Sequence, residues 1–306
     1  RSPSRGLGDV YKRQEMPCPP LYGSGRSRAV QSPTVKSSRQ MFAVILTTAL
    51  AAPLAACSPL DVFGPRPNGE IMALAKQASA DRASGDESWR ELRTFHAEQL
   101  KDEARRLCGT DDHGNTPSTC DVGYGDTDLP AAADARELIA STAKAADKVP
   151  EDSVDMVVAQ AIDAAAATDD PLALVEFTPI EDEDAAEAAK QLASAEYAVD
   201  YGLDIATAYA DDALQGRIDS LRELHDARLA ALNDSFPADT LPAREPGYEI
   251  PNGAPTNPAE AAAFVDKLES DLVDRWRNAA ADASTTEWRA AAIVLAGHAQ
   301  RAEASA

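Results

Sequence analysis

Hydrophobic and polar positions alternate along most of the chain with the 3.6-residue period of amphipathic α-helices. Trp89, Leu92, His96 and Leu100, for example, recur at spacings of three and four and therefore share one helix face. Helices are predicted over residues 70–83, 86–107, 131–148, 150–167, 179–210, 212–233, 258–282 and 285–304.

Three capping signatures mark helix starts in the last 130 residues. A capping side chain followed three positions later by Glu can satisfy two backbone amides of the first turn, and Pro fits the first helical position. We expect helices to begin at these signatures, which are Thr178-Pro179-Ile180-Glu181, Asn257-Pro258-Ala259-Glu260 and Ser284-Thr285-Thr286-Glu287.

A proline-rich segment divides the last four helices into two pairs. Residues 235–256 (SFPADTLPAREPGYEIPNGAPT) contain five prolines, whereas only a few residues join the helices within each pair. A 25-residue helix is about 38 Å long, which the segment can cross at roughly 3.3 Å per residue. Two hairpins joined by a long crossover are the ferritin-like arrangement. The predicted fold class is all α, with a ferritin-like four-helix bundle over residues 178–306 and an α-helical N-terminal region over residues 69–177.

An uncharged apolar run precedes these helices. Residues 41–56 (MFAVILTTALAAPLAA) follow Lys36 and Arg39, which is the order of a secretory signal. Sixteen residues are short for spanning a bilayer, which takes about 20. The run ends in Leu54-Ala55-Ala56-Cys57, which is similar to the lipobox of bacterial lipoproteins, in which the Cys is lipidated and becomes the mature N-terminus. The alternative is an ordinary signal peptide with a chance cysteine.

The similarity to a lipobox implies a location and a division of the N-terminal part. We expect residues 1–40 to be a non-native or untranslated leader with a basic n-region, residues 41–56 to be the apolar core of the signal, and residues 57–68 to be a tether with three prolines. Lipid on Cys57 is then the contact with the cell membrane. The mature protein is expected at the outer face of the cytoplasmic membrane.

The mature chain is strongly acidic. The whole sequence has 29 Lys and Arg against 51 Asp and Glu, and the first 56 residues hold eight of the basic and two of the acidic ones. From Cys57 on, 21 basic and 49 acidic residues remain, a formal charge of −28. Such a chain repels phosphate backbones, so nucleic acid is excluded as a partner. A protein partner in the cell envelope is left open.

The four cysteines are expected to undergo different processing or bonding. Cys18 precedes the cleavage point, and Cys57 is taken by lipid. Cys108 and Cys120, with eleven residues between them, are left in an oxidising compartment. A disulfide between them is predicted, and it would stabilise by about 3 kcal/mol in the loop-entropy model. A cysteine-rich metal knuckle is not supported, since the spacing of two residues between ligands is absent.

Several segments of the C-terminal region carry a family resemblance. They are residues 195–202 (AEYAVDYG), residues 225–228 (HDAR), residues 248–251 (YEIP) in the proline-rich segment, and the helices that contain Leu268-Glu269 and residues 289–298. Roughly residues 185–304 resemble the ferritin-like domain of unknown function found in actinobacterial lipoproteins. The resemblance implies a ferritin-like bundle and brings no established activity.

One acidic or histidine side chain lies on the apolar face of each of the last four helices: Glu196, His225, Glu269 and His298. A diiron bundle takes a Glu from two helices and a Glu-x-x-His from each of the other two. Arg222 and Leu295 stand where the two bridging carboxylates would be needed. A functioning diiron oxidase is therefore not expected.

Two interpretations of these four residues remain. In the first, they bind a single divalent metal ion. In the second, which we favour, Glu196 and Glu269 pair with His225, Arg228 or Arg289 across the core, because a buried charge must be paired. No cofactor is expected in that case.

Other catalytic signatures are absent from the sequence, which has no nucleophile elbow and no glycine-rich phosphate loop. His96 is expected to be a partly buried face residue rather than a base. The sequence favours a non-catalytic, tethered binding or scaffolding module. The alternative is a mononuclear metal-binding or degenerate diiron ferritin-like protein, and a small-molecule carrier with a cleft between the two halves is not distinguished from these.

Overall fold

The computed structural model describes residues 64–83, 85–111, 113–123, 132, 134–250 and 253–305. Within these residues the chain is all α, with eight α-helices and no strand, as predicted. The signal run and Cys57 lie outside the described residues. The helices are α1 (Gly69–Asp81), α2 (Glu87–Cys108), α3 (Ala135–Ala146), α4 (Glu151–Ala166), α5 (Glu183–Thr207), α6 (Asp212–Asp234), α7 (Pro258–Ala281) and α8 (Thr286–Ser305), with a 3-10 turn at Pro171–Leu174.

Side-chain caps set most of the helix starts. The residue before the helix accepts a hydrogen bond from a backbone amide of the first turn, which satisfies a donor that the helix itself leaves open. The capping residues are Asn68, Asp86, Asp134, Asp182, Asp211 and Asn257.

None of the described helices is both long enough and apolar enough to cross a bilayer.

The start predicted at Thr178-Pro179 is wrong. Helix α5 begins at Glu183 and is capped by Asp182, whose Oδ1 accepts from the backbone N of Ala185 at 2.8 Å. The preceding residues are not helical, because the backbone N of Ile180 donates to the carbonyl O of Ser235 at 2.8 Å, just after α6. A contact between distant parts of the chain thus overrides the local capping signal.

The first two helices form a hairpin, and a disulfide lies at the end of the second one. Gly85 lies in the turn with φ of +79°, and a Cβ there would come within 2.5 Å of the Trp89 ring. The predicted bond between Cys108 and Cys120 is present, with 6.2 Å between the Cα atoms. It fixes the loop that follows α2.

Each of the last four helices packs against two of the others. Helix α5 contacts α6 and α7, and α8 contacts the same two helices. The connector between α6 and α7 is held along α5 by aromatic contacts. The guanidinium of Arg244 lies 5.2 Å from the centre of the Tyr197 ring, and the ring centres of Tyr201 and Tyr248 are 5.9 Å apart. That this arrangement is ferritin-like stays a prediction.

Helix α8 is buried on nearly every side, and it joins the N-terminal helices to the last four. It contacts α3 and α4 as well as α6 and α7, and residues 291–296 are all buried, as befits a helix that is apolar all round. Gly297 permits the close approach of α4, since a Cβ there would come within 2.6 Å of the Ala165 Cβ. One hydrophobic core therefore runs through α3 to α8.

Candidate functional site

A buried polar cluster lies among the last four helices. Each member comes from an otherwise apolar helix face, and each is at most 8% exposed. We call this cluster the core network. Its members are Glu196 on α5, His225 and Arg228 on α6, Glu269 and Trp276 on α7, and His298 on α8.

The Glu196 carboxylate is the centre of the core network. Its Oε1 accepts from Arg228 Nε at 2.7 Å and from Trp276 Nε1 at 2.7 Å. Its Oε2 accepts from Arg228 Nη2 at 3.1 Å and from His225 Nδ1. Four donors from two neighbouring helices thus surround one carboxylate, which satisfies this buried charge.

His225 bridges the two acidic side chains of the network. Its Nδ1 faces Glu196, and its Nε2 lies 3.0 Å from Glu269 Oε1. The same Nδ1 lies 2.8 Å from Arg228 Nη2, because both donors converge on one oxygen of Glu196. Residues 225 and 228 are three positions apart, so they lie on the same face of α6.

These contacts determine the charges of the network. Burial alone raises the pKa of Glu196, but Arg228 and His225 outweigh burial and bring this pKa down to about 2. Burial lowers the pKa of His225, but its hydrogen bonds to Glu196 and Glu269 outweigh burial and raise this pKa to about 9. At neutral pH, Glu196 is therefore ionised and His225 is protonated.

His298 differs from His225 in charge. Burial and the neighbouring Arg228 lower the pKa of His298 to about 4. Its Nδ1 lies 3.4 Å from Arg228 Nη1 and can accept that hydrogen bond because the ring is neutral. The core network thus contains one charged and one neutral imidazole at pH 7.

The structure brings the four predicted site residues into one network, but with a cation among them. Arg228, expected as one of several partners, contacts three of the network's members. The pairing expected for Arg289 is wrong. It binds Asp147 and donates to the Ala283 carbonyl at 2.6 Å instead. Trp276 was missed as a polar partner, although it lies seven residues after Glu269 and therefore on the same face.

The core network does not fit a metal ion as it stands. Across the described parts of the chain, no group of three or more His, Cys, Asp and Glu side chains is placed to hold one. The guanidinium of Arg228 lies between Glu196, His225 and His298, and its N–H groups point at the atoms that a metal would need. With Arg228 in this position, the geometry supports neither a diiron nor a mononuclear centre.

A second buried cluster lies among the N-terminal helices. Arg93 Nε donates to Asp81 Oδ2 at 2.7 Å, and its Nη1 lies 3.0 Å from His96 Nδ1. His96 is fully buried, not partly buried as expected, and burial lowers its pKa, so the ring is neutral at pH 7. Its Nε2 lies 3.6 Å from Asp163 Oδ2. The other oxygen of Asp163, Oδ1, accepts from Gln300 Nε2 on α8 at 2.9 Å. This cluster ties α2 and α4 to the last helix.

The core network lies within a segment that matches a known protein family. Residues 185–304 match the model of a family described as a domain of unknown function (DUF4439). This span runs from the first turn of α5 to the last turn of α8. No curated protein and no solved structure matched the chain. The last four helices therefore carry a DUF4439 domain, whose activity is unknown.

Proposed function

We propose that this protein is a lipid-anchored module of the cell envelope, in which a ferritin-like bundle acts as a non-catalytic binding or scaffolding element at the outer face of the cytoplasmic membrane. The observation that carries the proposal is the core network, because its ionisable groups bind one another. Such a network fixes the positions of helices rather than acting on a substrate.

The geometry of the network supports a structural role for each polar group. A catalytic acid, base or nucleophile has to reach the reacting atom of a substrate. Both oxygens of Glu196 already accept two hydrogen bonds, and both ring nitrogens of His225 face carboxylates. These contacts join α5, α6 and α7 and specify how their apolar faces meet.

The packing order of the last four helices supports the ferritin-like arrangement. A ferritin-like bundle is built from two hairpins joined by one long crossover connection. Here α5 lies beside α6 and α7 beside α8, and residues 235–257 join the two pairs.

Cys57 and the apolar run before it support the anchoring part of the proposal. A lipoprotein cysteine carries at least two acyl chains, which is enough for lasting attachment. The charge of −28 from Cys57 on disfavours any contact of the helices with anionic headgroups, so the lipid alone would supply the membrane contact. Only 11 residues separate Cys57 from Gly69, where α1 begins, which would keep the helical unit near the membrane.

Metabolic labelling with an alkyne-tagged fatty acid tests the anchor. The chain is expressed with its signal run in a bacterium that processes lipoproteins. We expect labelled protein in the membrane fraction, a lipid-modified precursor in the presence of globomycin, and no label on Cys57→Ser. Cys18→Ser is the matched control and should keep the label. Label that persists on Cys57→Ser would refute the anchor.

A further inference from the structure

A small cavity lies where the hairpin of α1 and α2 packs against α3 and α4. Its volume is about 10 Å³. Five of its lining side chains are apolar, and the other three are polar: Arg93 on α2, Thr142 on α3 and Gln160 on α4. These three residues are 2%, 3% and 5% exposed, respectively. Polar side chains from three helices therefore meet at one point inside the molecule.

The side-chain amide of Gln160 supplies a hydrogen-bond acceptor at this point. Its Nε2 donates to the backbone O of His96 at 3.2 Å and to Gln99 Oε1 at 3.0 Å, so both of its N–H groups are used. A backbone carbonyl can only accept, which fixes the end of the amide that carries nitrogen. Within the described residues Gln160 makes its side-chain hydrogen bonds through Nε2, and Oε1 is left to accept from another donor.

Arg93 and Thr142 supply the complementary groups. Arg93 Nε donates to Asp81 Oδ2 at 2.7 Å, and Arg93 Nη1 lies 3.0 Å from His96 Nδ1, which leaves the N–H groups of Nη2 for a further acceptor. The Thr142 hydroxyl can both donate and accept, and among the described residues no hydrogen bond engages it. Buried polar groups that stay unpaired cost free energy.

We propose that this cavity is a binding site for one water molecule, which accepts from Arg93 Nη2 and donates to Gln160 Oε1 and to the Thr142 hydroxyl. A cavity of about 10 to 15 Å³ is the smallest that holds a water, and a buried water typically makes about three hydrogen bonds. The volume excludes any larger ligand, and the guanidinium of Arg93 disfavours a cation. The proposal does not depend on the lipid anchor.

Such a water would fix the hairpin on the rest of the helices. Arg93 is bound to Asp81 at the end of α1, and Gln160 on α4 is bound to two residues of α2. A water that bonds to both side chains and to Thr142 would bring α3 into the same hydrogen-bond network. The junction of α1 to α4 would then have its buried polar groups paired.

A high-resolution crystal structure of the wild-type protein is the direct test. We expect one ordered water in the cavity, about 2.7 to 3.2 Å from both Gln160 Oε1 and the Thr142 hydroxyl. A well-ordered cavity without water density would overturn the proposal, as would a Thr142 hydroxyl that bonds to a carbonyl of its own helix.

Thr142→Val tests the same site in solution through the sign of its effect on thermal unfolding. Both residues are β-branched, so helix propensity changes little. If water occupies the site, the variant loses a hydrogen bond and the midpoint of unfolding should fall by about 2 to 4 °C. If the cavity is dry, the wild-type protein buries an unpaired hydroxyl, and the variant should unfold at a higher temperature. An unchanged or raised midpoint would therefore overturn the proposal.

Thr94→Val is the matched control, since Thr94 is exposed on α2 and its hydroxyl donates to the backbone O of Arg90 at 2.7 Å, away from the cavity. Its midpoint of unfolding should stay close to that of the wild-type protein. If Thr142→Val does not fold, the wild-type crystal structure decides between a water and a dry cavity.

Discussion

Arg228 and Glu196 form a two-point ion pair in the middle of the last four helices. The Nε to Oε1 distance is 2.7 Å, the Nη2 to Oε2 distance is 3.1 Å, and neither side chain is exposed. Removing both charges from water costs free energy that their attraction largely offsets. The pair therefore contributes more to the specific register of α5 on α6 than to net stability.

Loss of one partner of this pair should be strongly destabilising. Glu196→Ala leaves the guanidinium of Arg228 buried without its carboxylate, and we expect the free energy of unfolding to fall by about 3 to 5 kcal/mol. Urea unfolding followed by circular dichroism measures the change. The control is Asp271→Ala, which breaks an exposed pair with Lys267 and should cost at most about 1 kcal/mol. Similar losses in the two variants would contradict a buried, structural role for Glu196.

Stability should decline on both sides of about pH 6.5. The pKa of His225 is raised from 6.5 to about 9 in the folded chain, so its stabilisation is complete below pH 6.5 and is lost as the pH rises through 9. The midpoint of thermal unfolding should fall over this range. In His225→Gln this alkaline decline should be much smaller. An unchanged alkaline decline would argue against a charged His225.

The acid side of the same profile depends on two other residues. The pKa of His298 is lowered from 6.5 to about 4, and that of Glu196 from 4.5 to about 2. The stabilisation that each of these two groups contributes to the folded chain is present at pH 6.5. The contribution of His298 is lost as the pH falls through 4, and that of Glu196 as it falls through 2. The midpoint of thermal unfolding of His298→Asn should therefore stay constant down to about pH 4.5. That of the wild-type protein should already have fallen at this pH.

Replacing glycine by alanine should have opposite effects on stability at Gly297, where α8 packs on α4, and at Gly216 on α6. Gly297→Ala places a Cβ 2.6 Å from that of Ala165 and 3.1 Å from the backbone N of Ala166, so the helices must separate, at a cost of about 1 to 3 kcal/mol. Gly216→Ala on α6 meets no atom within 4 Å and should stabilise by roughly 0.5 to 1 kcal/mol. Chemical unfolding of both variants tests this difference, and a stabilised Gly297→Ala would refute the close contact.

Much of the fold could be predicted because helix periodicity and caps are local. The eight predicted helices are all present, and the start at Asn257 is confirmed, with Asn257 Oδ1 accepting from the backbone N of Glu260 at 3.1 Å. The start near Thr178 was wrong because the bond from Ile180 to Ser235 joins parts of the chain that no local pattern connects. The packing of α8 against α3 and α4 could not be predicted for the same reason.

The sequence was enough to predict which residues form the candidate site, but not how their side chains contact one another. Periodicity placed Glu196, His225, Glu269 and His298 on inward faces, and all four are buried. The position of the Arg228 guanidinium among them depends on side-chain conformation and on the distances between helices, which spacing along a sequence does not determine. His96 was expected to be partly buried for a related reason: its Nε2 lies 3.6 Å from Asp163 of α4, a contact that spacing along the sequence does not reveal.

We infer that Arg228 and His225, rather than a metal ion, neutralise the buried acids of this core. Elemental analysis of wild-type protein from metal-replete medium, after gel filtration, is the test. We predict iron, manganese and zinc contents far below one atom per chain, and no decrease in Glu196→Ala. One atom per chain in the wild-type protein, lost in Glu196→Ala, would contradict the claim.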